Sequence, residues 1–184
     1  IKFTLGNAYF QKGEYNTAIA SLEAGLKLKP GIPTALFDLG NSFLKLQKWG
    51  EAINSYEEAV GRDKTFWPAI NNIGLVKYEQ GDVEGALKKW QAATVIDKEQ
   101  AEPQLAIAVA LYSQGKQQQG LKLGESALKL DNRYRELKFL KENLWGDKLL
   151  QDTQALFSNP SMKSFLSSLP VEPENKKKDE KTSE

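Results

Sequence analysis

The side chains able to do chemistry in this 184-residue chain are few in kind, because it has no histidine and no cysteine. Without imidazole it lacks the commonest general base and metal ligand, and without thiol it lacks disulfides, thiolate nucleophiles and Cys-type zinc sites. No glycine-rich phosphate loop is present, and no carboxylates fall at metal-ligand spacing. A serine–lysine nucleophile is the covalent option that composition leaves, and no pairing of residues points to it. No cofactor and no metal are therefore expected, and the chain reads as a non-enzyme. The charges, 25 basic and 24 acidic, are spread along the chain to a net +1. That balance supplies no basic field for nucleic acid. The chemistry left is non-covalent: amides that donate and accept, and apolar faces that want covering.

The elements that carry those groups repeat. Gly6, Gly40, Gly74 and Ala108 stand 34 residues apart. Ala18, Ala52, Ala86 and Gly120 keep the same interval, as do Gly25, Ala59, Ala93 and Ala127. A bulky position recurs as Leu22, Tyr56 and Trp90. Within the first unit, Leu5, Ala8 and Tyr9 share one helical stripe, Gly13 breaks it, and Ala18, Ile19, Leu22, Leu26 and Leu28 form a second. Pro30 and Gly31 end that second helix, since proline cannot continue the ladder. Small residues let helix axes approach, and the bulky ones fill the space between. The longest apolar run, residues 105–111, falls far short of the ~20 residues a bilayer span needs.

A 34-residue period of paired helices, with Leu5-Gly6, Tyr9, Ala18, Leu22, Gly25 and Pro30 in their places, resembles the tetratricopeptide repeat (TPR) family. The resemblance covers residues 1–134 and implies an all-α, right-handed α-solenoid. It would hold four helix-turn-helix repeats at residues 1–32, 33–66, 67–100 and 101–134, the first truncated at its N-terminus. The fourth is degenerate: Gly120 stands for the packing alanine and Gly124 for the bulky filler, and each interior glycine costs about 1 kcal/mol of helix propensity. Trp145 is the expected occupant of the slot at Gly124. Residues 135–157 read as capping helices, with Gly146 as terminator and Asp147 as N-cap. Asn159-Pro160-Ser161 starts a short helix over 158–169, and residues 170–184 read as a disordered charged tail. The string from Phe139 to Leu150 is similar to the ending of cyanobacterial and plastid TPR proteins.

In TPR arrays the first helix of each repeat lines a concave face. Carried onto this chain, that face offers Phe3, Asn7, Phe37, Asp38, Asn41, Leu44, Lys45, Asn71, Asn72, Leu75, Tyr78, Glu79, Leu105, Val109 and Tyr112 as a peptide-binding groove. The set is apolar, its asparagines suit a peptide backbone, and its charges lean acidic. The resemblance thus implies a protein-protein interaction module, an adaptor or assembly factor. Its partner would be a neutral to weakly basic apolar segment of another protein. Assembly of a photosynthetic complex is the narrower expectation. The carboxylate clamp of chaperone-tail adaptors is not expected, because Phe3, Asp38, Pro68 and Asn72 stand where the clamp needs cations and an amide. Homo-oligomerisation through the first repeat or the C-terminal segment is the alternative, with residues 162–169 docking into a groove.

Position 1 aligns with the third position of a repeat, so the sequence is expected to be a piece of a longer product. Cytoplasm is the expected compartment, with membrane or thylakoid attachment where an upstream segment supplies an anchor. Replacing Asn41 and Asn72 by alanine is expected to weaken partner capture without lowering the melting temperature. Trp90→Ala is expected to cost about 3–5 kcal/mol in denaturant titration, with the loss concentrated in the third and fourth repeats.

Overall fold

The computed structural model describes residues 2–171; residue 1 and residues 172–184, with most of the expected charged tail, lie outside the described residues. Eight helices run in pairs. They are α1 (Lys2–Gln11) with α2 (Tyr15–Leu28), α3 (Pro33–Lys45) with α4 (Trp49–Arg62), α5 (Trp67–Glu79) with α6 (Val83–Ile96), and α7 (Ala101–Ser113) with α8 (Gln117–Leu130). Each second helix also packs on the first helix of the next pair, which builds the all-helical solenoid. Pro33 and Pro68 sit in the first turns of α3 and α5, where a missing N–H breaks no bond.

The period is a packing rule. A Cβ on Gly6 would fall 2.6 Å from Leu22 Cγ, one on Gly40 2.7 Å from Tyr56 Cδ1, and one on Gly74 2.7 Å from Trp90 Cδ1. Each glycine therefore makes room for the bulky side chain of its own partner helix, and Leu22, Tyr56 and Trp90 are fully buried. In the fourth pair the sizes are exchanged: Ala108 faces Gly124. The space freed at Gly124 is taken by Met162 Cε and Leu156 Cδ2, 3.1 and 3.5 Å from where its Cβ would lie. The slot exists, but Trp145 does not fill it. Gly120 lets α7 and α8 touch backbone to backbone, its Cβ position lying 2.8 Å from Ala108 O.

The hairpin turns repeat as well. Gly13, Gly81 and Gly115 adopt φ of +80°, +85° and +84°, and at the equivalent place stands Gln47 at +56°. A side chain in that left-handed region meets its own backbone, at a cost of about 1–2 kcal/mol.

After α8 come a short 3-10 turn (Asn132–Arg135), then α9 (Leu137–Glu142), α10 (Asp147–Phe157) and α11 (Pro160–Ser168). Asn159 caps α11 by accepting from Ser161 N. The chain does not simply stack these on the last repeat. α10 lies across α7 and α5, on the concave side, while α11 packs against α8 and α10. The segment that docks into the groove is therefore α10 rather than residues 162–169. Among the described residues no helix is long and apolar enough to cross a membrane.

Gln47→Gly is expected to raise unfolding stability by about 0.5–1 kcal/mol, since relief of the left-handed strain outweighs the extra freedom of the unfolded chain. A shift of the urea midpoint at unchanged m-value checks it.

Candidate functional site

The concave face divides into a half filled by the chain itself and a half left open. In the filled half, Leu75, Tyr78, Leu105 and Val109 are buried in one core with Trp145, Leu149 and Leu156, so these four sequence-expected groove residues are closed to a partner. An apolar stripe on α10 covers them, with the same burial of greasy surface that an outside helix would provide. Tyr112 is half-buried and accepts a 3.3 Å hydrogen bond from Asn159 Nδ2. Tyr78 OH donates to Asp152 Oδ2 at 2.5 Å, and burial pushes its phenol well above the usual range.

Glu79 is not a partner contact either. Its two carboxylate oxygens accept from Lys148 N and Leu149 N at 3.1 and 3.0 Å. These amides belong to the first turn of α10, whose own residues supply no side-chain cap. The expected N-cap, Asp147, lies inside the helix, and a carboxylate from α5 performs the capping instead. A Cβ on Gly146 would displace the Glu79 carboxyl from the amides it caps. Just before it, Leu144 takes φ +70°, and the corner this makes carries Trp145 into the core. The Trp145 indole Nε1–H donates to Glu102 Oε1 at 3.0 Å.

The open half lies over α1, α3 and α5. Phe37, half-buried, packs its ring 5.8 Å from Tyr56 and 5.6 Å from Phe66. With Phe10, Trp67, Tyr134 and Leu144 it walls a cavity of about 310 Å³ whose floor includes Asn41, Asn71, Asn72 and Glu102. Asn7 is exposed and hydrogen-bonds Asp38, which burial raises above the usual carboxylate range. Leu44 lines a second, smaller cavity of about 190 Å³ beside Trp49 and Trp145. Lys45 turns toward the Tyr15 ring, 5.9 Å from its centroid. Phe3 is the residue of the expected set that lies elsewhere: it packs onto Gly25 of α2, among Ile19, Leu22 and Leu39.

The asparagines serve the fold before any partner. Tyr56 OH donates to Asn41 Oδ1 at 2.7 Å, Asn72 Nδ2 donates to the same oxygen at 3.0 Å, and Asn71 Nδ2 donates to Asn72 Oδ1 at 3.1 Å. Asn71 and Asn72 are buried, so removing an amide strands a buried phenol or carbonyl at about 1–3 kcal/mol. Asn41→Ala with Asn72→Ala is therefore expected to lower the melting temperature, where the sequence alone led to the expectation of no change. Asn71 Oδ1 is buried without a hydrogen-bond partner.

Trp67, Tyr134 and Glu142 line this cavity and lie outside the sequence-expected set. Trp67 could have been found as a large side chain directly before Pro68 at a helix start. Glu102, a concave-face position on the repeat pattern, opens the apolar α7 as a lone acid. It is buried, and burial pushes its carboxyl from 4.5 up to about 7 against hydrogen bonds from Trp145 and Asn71. Between those values the folded chain keeps a proton that the unfolded chain has lost, so stability falls as pH rises. Asp38 acts in the same direction, whereas Asp63, Asp82, Asp97 and Asp131 are held below the usual range and titrate under this window. The loss from Glu102 is roughly 3 kcal/mol by pH 8. Denaturant midpoints are expected to fall from pH 5 to 8, and Glu102→Gln is expected to flatten that slope.

Known proteins share this architecture. The family described as "TPR repeat" matches residues 6–47 and 74–115, and that described as "Tetratricopeptide repeat" matches residues 35–66. No curated protein matches the sequence. Among solved structures, a crystal structure of MamA superposes with TM-score 0.65 at 22% identity over 73% of this chain and 78% of that one. A second MamA structure gives 0.65 at 19% identity over 94% and 96%. The first TPR of Spaghetti (RPAP3), bound to an HSP90 peptide, gives 0.59 at 19% identity over 62% and 90%. With family matches across more than half its length and a helical-hairpin solenoid to accommodate them, the chain belongs to the tetratricopeptide repeat family.

Proposed function

We propose that this protein acts by binding rather than catalysis, as an adaptor or assembly factor. It would hold a short segment of another polypeptide in the open half of its concave face, over α1, α3 and α5. The observation that carries the reading is the aromatic cavity between Phe10, Phe37 and Trp67, left uncovered beside a half-groove that α10 already fills. Contiguous apolar surface of this kind marks interaction sites, and α10 supplies the internal example of a helix seated on the same face. The peptide held by the structurally similar RPAP3 domain lends analogy at the level of fold. Assembly of a photosynthetic complex is the narrower setting, and its support is the string from Phe139 to Leu150 alone.

Self-association is the second reading, favoured by Leu5, which is 45% exposed on α1. Light scattering across a concentration series separates it from a monomeric adaptor.

A photo-cross-linking side chain placed at Phe37 or Trp67 is expected to capture the same polypeptide in extract of the source organism. Placed at Val95, 86% exposed on α6, it is expected to capture none. Equal capture from Val95 would overturn the groove reading.

A further inference from the structure

The open cavity is unusual in its charge. Glu102 is buried at its floor and Glu142 lines its wall, yet among the described residues no lysine or arginine lines it. A buried carboxylate without a counter-ion is costly, and Glu102 meets that cost by holding its proton up to about 7. Here the donors to Glu102, the Trp145 indole and the Asn71 amide, are both neutral. A second acceptor waits beside it: Asn71 Oδ1, in a side chain 1% exposed, has no partner. Asn41 Oδ1 already accepts twice. Phe10, Phe37, Trp67 and Tyr134 contribute aromatic surface to the same cavity, and aromatic faces attract cations.

We propose that this cavity receives one basic side chain, a lysine or arginine, from the partner polypeptide; the proposal rests on the groove reading above. An ammonium or guanidinium brings only donors and a positive charge, which answers Glu102 and Glu142 together. An acidic side chain would meet two carboxylates. An aliphatic one would fit the walls and leave the floor unanswered. The volume, about 310 Å³, is ample for either basic side chain.

The probe is a displayed library of random heptapeptides, selected on the immobilised full chain. Selected peptides are expected to share one lysine or arginine. Exchange of that residue for norleucine should weaken binding at least ten-fold, and Glu102→Gln should weaken it comparably. Trp67→Ala should abolish it. The norleucine exchange leaves the protein untouched, so the result does not depend on how Glu102→Gln folds. Peptides that are lost with Trp67→Ala but tolerate norleucine would overturn the basic subsite and leave the groove standing. Peptides indifferent to Trp67→Ala, or none at all, would overturn both. Selection that succeeds only after Lys176, Lys177 and Lys178 are replaced by serine would assign the cavity to the chain's own tail and overturn an outside partner.

Discussion

One carboxylate decides how the second half of this molecule is used. Glu79, at the end of α5, accepts from the two amides that open α10, about seventy residues later in the chain. Helix N-termini present unsatisfied N–H groups with partial positive charge, and a carboxylate from another element satisfies both needs at once. With α10 fixed at that end, its apolar stripe falls on Leu105 and Val109, and Met162 beyond it reaches the empty place at Gly124. The fourth repeat, poor in its own filler, is completed by residues that follow it. A degenerate repeat and a docked terminal helix are thus two sides of one arrangement.

The solenoid itself was legible because its information is local. A glycine in one helix and a bulky residue sixteen positions later meet within the same hairpin, so a fixed interval along the chain becomes a fixed contact in space. At Gln47 the turn lacks a glycine, yet its backbone keeps the left-handed geometry of the equivalent turns at Gly13, Gly81 and Gly115. What the sequence could not reveal was where the segment after the repeats would go. Nothing in the stripe Leu149, Thr153 and Leu156 distinguishes a helix that covers the end of a stack from one that lies across its hollow.

The concave face was legible as a face, and several of its residues are used by the fold itself. Asn41 and Asn72 were assigned to a visiting backbone by their position. The reason they turn to Tyr56 is chemical: this filler, unlike Leu22, carries a hydroxyl, and a buried phenol needs a partner. Trp145 was singled out as a large side chain seeking space, but its indole N–H also needed an acceptor, and the acid at the head of α7 supplied it. In both cases shape was weighed and hydrogen-bonding demand was not.

The occupied half also sets a ruler. With α10 lying over α7 and part of α5, the uncovered trough is about three helices wide. Neighbouring helix axes lie roughly 8–10 Å apart, so it measures about 20–25 Å across. An extended chain rises about 3.3 Å per residue, which limits the run that can lie flat in it to about six or seven residues. If the proposed groove is the one used, a longer stretch would leave over the rim at the Leu144 corner, and that corner, rather than the count of repeats, would set how much of a guest chain it holds.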